Sequence, residues 1–158
     1  MIKDLRFKVR KGFTLIELLV VIGVLAVIAS GVVALIDPVD KIAQANDSKV
    51  QNDLGQIATA LQSYAAQNLT GAYPVTGWAA MSTAIGPTGS GELVVIPTAA
   101  TGVTYTYELN GTTACLHGTL RSKKYTIAPT ACNGAGTCNW KWSSATGQFT
   151  VVTTTSCP

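Results

Sequence analysis

Glu17 is the residue whose surroundings set the chemistry of this chain. It is the only ionisable side chain between Phe13 and Ile36, in the run FTLIELLVVIGVLAVIASGVVALI. A carboxylate one turn inside an apolar segment costs on the order of 2.5–3.5 kcal/mol on membrane-insertion scales. A plain membrane anchor would avoid it; taken alone the acid reads as snorkelling to the cytoplasmic interface, and pairing with a cation is the alternative. Four cysteines form the second set: Cys115, Cys132, Cys138 and Cys157, all in the last third of the chain. An even count downstream of a membrane-targeting segment reads as disulfides formed in an oxidising compartment. A zinc site would need tight ligand pairs, whereas the closest spacing is five residues between Cys132 and Cys138, and His117 could add only one ligand.

Catalysis needs a positioned base, nucleophile or metal. From residue 72 onward the chain offers His117 and two acids, Glu92 and Glu108, and carries none of the hydrolase, metalloprotease or phosphate-loop signatures. His117 is expected as an ordinary strand or loop residue, and no enzyme is expected. No cofactor or metal is expected either. The region after Glu108 contains no Asp or Glu, so hard-cation ligands such as those of calcium are missing there. Trp78, Trp140 and Trp142 could form a stacking platform for a sugar or single-stranded nucleic acid. Core and interface packing is the preferred reading, with at least one of Trp140 and Trp142 buried against a helix. Three Asn-x-Ser/Thr triplets, at Asn46, Asn68 and Asn110, are weak signals in a Thr-rich chain.

The elements that must position these groups follow from charge and periodicity. Of 158 residues, 47% are hydrophobic and 12% charged, against roughly 25% charged in soluble domains. Residues 1–12 hold Lys3, Arg6, Lys8, Arg10 and Lys11 against Asp4, while the rest has six basic and seven acidic residues. The body is therefore near neutral and direct nucleic-acid binding is not expected. After Glu17 come nineteen uncharged residues to Ile36, about the length that spans a hydrocarbon core roughly 30 Å thick. The basic cluster before them places the N-terminus in the cytoplasm and everything after Asp37 outside. Asp37-Pro38 ends the run, and Pro38 predicts a kink or local unwinding. Beyond it, Val50, Leu54, Ile57, Leu61 and Tyr64 form one apolar stripe on a polar helix. Asn68, Gly71 and Tyr73-Pro74 end it. If the two segments are continuous, the rod is roughly 80 Å long, and its first half needs lipid or other copies to cover it.

Residues 72–101, rich in Gly, Pro, Thr, Ala and Ser, read as a loop. Strands are expected at 103–109, 112–120, 124–128, 139–142 and 148–154, with a hairpin turn at Asn110-Gly111 and another turn at 143–147. The expected fold is α+β: a long N-terminal α-helix packed through its second half on a small antiparallel sheet, whose alternate polar positions face water. The divisions are 1–12, a basic leader; 13–36, the apolar helix; 37–71, the amphipathic helix; and 72–158, the disulfide-bonded head.

The stretch Lys11-Gly12-Phe13-Thr14-Leu15-Ile16-Glu17 resembles the class III signal of type IV prepilins and pseudopilins. Asp37-Pro38, Asp47-Ser48, Asp53-Leu54 and Tyr73-Pro74 extend the resemblance over about the first 75 residues. It implies a pilin fold, cleavage between Gly12 and Phe13 by a membrane prepilin peptidase, and methylation of the new amine on Phe13. It also implies that Phe13 and a neighbour's Glu17 set the register of a helical homopolymer, extracted from membrane lipid by a platform protein and a cytoplasmic motor. The precursor would lie in the cytoplasmic membrane and the product on the cell surface. A minor pilin or a pseudopilin of a secretion or DNA-uptake system fits the same motif. Outside that family, residues 1–31 read as a secretory signal ending at Ala29-Ser30-Gly31, or as an uncut anchor for an extracytoplasmic binding domain. Of three possible disulfide pairings, Cys115–Cys132 with Cys138–Cys157 is expected. Each closes a loop of about twenty residues, worth roughly 3 kcal/mol.

Overall fold

The computed structural model describes residues 12–127, 132, 137–154, 156 and 157. It divides into two compact units, residues 1–37 and 38–158. In the first, helix α1 (Leu15–Leu35) starts at Thr14, an extended N-cap, and ends at Ile36, whose N–H still bonds Val32 O at 3.3 Å. Its described side chains are exposed along the whole length. Helix α2 (Pro38–Gln67) opens the second unit. Pro38 stands at the first helical position, where a missing N–H costs nothing and the fixed φ suits a helix. The proline thus begins a new helix after a break at Ile36 and Asp37.

The head is built on the apolar stripe of α2: Val50, Leu54, Ile57 and Leu61 are fully buried. Strands β1 (Tyr105–Asn110), β2 (Thr113–Leu120), β3 (Cys138–Ser143) and β4 (Gln148–Val152) form an antiparallel sheet in sequence order. Asn110 pairs with Thr113, so the hairpin loop is Gly111-Thr112, one residue later than expected, with Gly111 at φ +60°. Side chains alternate across a strand, and the register assigns one face to Tyr105, Tyr107, Leu116, Gly118, Leu120, Trp140 and Trp142. Gly118 marks where the helix presses on that face, since a Cβ there would meet Val50 at 2.5 Å and Leu54 at 2.8 Å.

Four further expectations need correction. Residues 72–101 are not all loop, because Trp78–Ile85 forms helix α3 between Gly77 and Gly86. Met81 and Ile85 are fully buried and Trp78 packs on Tyr105, so a helical apolar spacing was present but short. The strand expected at 124–128 is instead a turn of helix, α4 (Lys123–Thr126), with Ala128 outside the described residues. Its approach is fixed by α2: Asp47 accepts from the N–H groups of Arg121 (2.8 Å) and Ser122 (2.9 Å), and Asp40 from Lys123 N–H (2.7 Å). Those donors are therefore unavailable to a sheet.

The third correction concerns the outer face of the sheet, where Cys115, His117, Asn139 and Ser143 are buried. The C-terminal segment lies over part of it: Lys141 donates to Ser156 O at 2.9 Å and Cys157 N–H to Glu108 at 3.4 Å. Lastly, the disulfides are Cys115–Cys157 and Cys132–Cys138, with Cα separations of 5.7 and 5.6 Å. Strand parity explains the pairing. Cys115 points to the outer face, beside Cys157, while Cys138 shares the helix side with Leu120 and meets Cys132 in the core.

Asp47→Ala leaves two backbone donors unpaired, one of them buried. Urea unfolding of the purified chain in detergent, followed by tryptophan fluorescence, is expected to show a loss of about 2–4 kcal/mol.

Candidate processing and assembly site

Gly12 and Phe13 precede the first turn of α1 and are not helical. Phe13 is 84% exposed. The peptide bond between them is thus in an irregular, accessible segment, the form of backbone a peptidase can take up in extended conformation. Lys11 and the rest of the basic leader lie outside the described residues.

Thr14 and Glu17 form a reciprocal capping box. Glu17 N–H donates to Thr14 Oγ1 at 3.3 Å, while Thr14 N–H and Oγ1 donate to Glu17 Oε2 at 2.8 and 2.7 Å. Two of the orphan N–H groups at the helix start are satisfied in this way. Both bonds to the carboxylate fall on Oε2. The Thr-x-x-Glu spacing is a readable capping signature in the sequence. The acid thus has a structural task within its own chain.

From Leu15 to Val33 the helix has nineteen residues with mean hydropathy 2.7, long and apolar enough to cross a membrane. Each large apolar side chain left in water forgoes roughly 1.5–3 kcal/mol.

The remaining candidates sit in the head. Trp142 is buried edge-on to Tyr73 at 6.3 Å, and half-buried Trp140 stacks on Phe149 at 5.5 Å. With Trp78 on Tyr105, each indole has its own packing partner and the three do not make one platform. His117 is in β2, 1% exposed, and neither ring nitrogen has a hydrogen-bond partner among the described residues. Burial holds its pKa below the ordinary 6.5, Lys141 lowers it further, and Glu108 opposes them. Asp53, also buried, accepts from Tyr105 Oη at 2.7 Å and pairs with Lys49, whose ammonium also reaches Thr98 O at 2.6 Å. Burial and the Asp53 carboxylate push the Tyr105 phenol up. The acids of α2 thus serve packing and backbone bonding, a use that only the tertiary structure reveals.

Residues 7–33 match the family model of the prokaryotic N-terminal methylation motif, the class III signal peptide of type IV pilins. The match begins in the basic leader, crosses the Gly12–Phe13 bond and covers most of α1. None of the curated proteins and none of the solved structures matches the chain.

Thr14→Ala is expected to weaken the first turn of α1 by about 1 kcal/mol, seen as roughly fivefold faster amide exchange at Leu15–Glu17 in micelles. For His117 the sign follows from the lowered pKa. The unfolded chain binds a proton that the folded head refuses, so stability falls as pH drops below the ordinary histidine value toward the lowered one. Thermal unfolding between about pH 7 and pH 5 should show this loss, and His117→Leu should flatten it.

Proposed function

Taking the methylation motif as premise, we propose that the chain is the precursor of a type IV pilin-like subunit that assembles into a filament on the cell surface. The motif points to the type IV pilin and pseudopilin family, and together with the apolar helix it fits a membrane-anchored precursor. The observation that carries the proposal is its coincidence with α1, a helix exposed along its length, whose one acid lies a single turn from the processing bond.

In this reading a prepilin peptidase removes residues 1–12 and methylates the amine created on Phe13. The subunit waits with α1 in lipid and is then drawn into the filament by a platform protein and motor. There the apolar helices of neighbours replace lipid as solvent. The ammonium of one copy meets the Glu17 carboxylate of the next, at Oε1, since Oε2 is held by Thr14. A buried pair of this kind contributes register more than net stability, because desolvation offsets most of the attraction. Contacts are heterologous and do not close, so a helical fibre results. Cys115–Cys157 ties the C-terminal segment to the sheet, which suits a surface-exposed subunit.

The mature protein from cells is expected to begin at N-methylated Phe13, read by mass spectrometry of its N-terminal peptide. A mature start near Val32, or retention of Met1, would overturn the reading. Glu17→Ala should insert normally yet reduce filament yield about tenfold or more, with membrane and sheared-filament fractions compared by immunoblot.

A further inference from the structure

The end of the head where α2 begins differs chemically from the rest. The head has six basic residues, Lys41, Lys49, Arg121, Lys123, Lys124 and Lys141. Four are gathered at this end. Lys41 is on the first turn of α2, and the Asp40 and Asp47 bonds to backbone N–H groups bring residues 121–123 alongside it. All four are exposed. They stand against Asp37 and Asp40, since Asp47 is 2% exposed and spent on Arg121 and Ser122. Elsewhere on the head the balance reverses, with Lys49 and Lys141 against Asp53, Glu92 and Glu108. Val39 and Ile42 add apolar side chains that are 75% and 64% exposed at this same end, lining a shallow groove with Arg121.

Covalent connectivity brings this end to a bilayer once α1 is inserted. Pro38 follows Val33, the last residue of the apolar span, by five residues, which reach at most about 18 Å. The headgroup layer occupies several ångströms of that distance, and the screening length at physiological salt is about 8 Å. We infer that, before assembly, the head rests on the membrane surface through this end, with Lys41, Arg121, Lys123 and Lys124 on anionic phospholipid headgroups and Val39 and Ile42 at the interface. The inference rests on the reading of α1 as a membrane span. A few cations would hold a free protein only weakly, but the anchor makes the contact intramolecular and supplies a high effective concentration. The consequence is an orienting one: subunits awaiting extraction present one fixed end to the bilayer.

The test uses the full chain in nanodiscs of neutral phosphatidylcholine, or of the same lipid with phosphatidylglycerol. Lysines are labelled with a water-soluble acylating reagent and read residue by residue by mass spectrometry. Labelling of Lys41, Lys123 and Lys124 should slow about fivefold in the anionic discs, with Lys49 and Lys141 unchanged. The protection should vanish at high salt, and the triple variant R121Q/K123Q/K124Q, whose backbone bonds to Asp40 and Asp47 remain, should lose it at Lys41. Uniform labelling of inserted protein in both lipids overturns the inference alone. Protection that also appears in neutral discs and grows with protein per disc shows a second copy on this face and overturns it as well. A chain that does not enter discs overturns both this inference and the membrane reading of α1.

Discussion

The nineteen residues Leu15–Val33, predominantly apolar and with Glu17 as their one charged side chain, carry their side chains outward and exposed. Left in water, such a helix would forgo tens of kcal/mol of apolar burial, more than the 5–15 kcal/mol by which a domain is usually stable. No rearrangement of a head this size can absorb that deficit. The helix needs a second solvent, lipid or other copies of itself, and in the proposed function it meets both in turn.

That constraint explains why the head makes itself complete without α1. Its core is closed by the buried stripe of α2, the helix-side face of the sheet and α3. Its polar bonds also run inward, with Asp47 holding the 121–122 backbone and Asp53 holding Tyr105. Two disulfides on opposite faces of the sheet secure the C-terminal part. In the proposed function, a body satisfied in this way moves from bilayer to filament with its own packing unchanged. Pro38 suits this division, because it opens α2 where an interior proline would only have damaged one long helix.

Glu17 shows how one residue can carry two tasks. Within its own chain it caps α1 through Thr14, which lowers the cost of having an acid at that depth. The proposed contact with a neighbour's amine adds to that cap and leaves its bonds to Thr14 in place.

Much of this was legible in the residues themselves. Charge segregation, the length of the apolar run and the 3–4 spacing of Val50, Leu54, Ile57 and Leu61 are one-dimensional signals, because span length and helix periodicity are local properties. The four strands of the sheet were found for the same reason. Other features were decided only by tertiary contact. The disulfide pairing depends on which face of the sheet each cysteine occupies, and parity has no meaning until the register is set. Residues 123–126 are helical because Asp40 and Asp47, some eighty positions earlier, take the neighbouring N–H groups, outweighing the β-propensity that suggested a strand. His117 and Cys115 are buried on a face expected to be wet, because a segment distant in sequence returns to cover it. Periodicity reports how one element meets its surroundings; what those surroundings are is settled by residues far away in the chain.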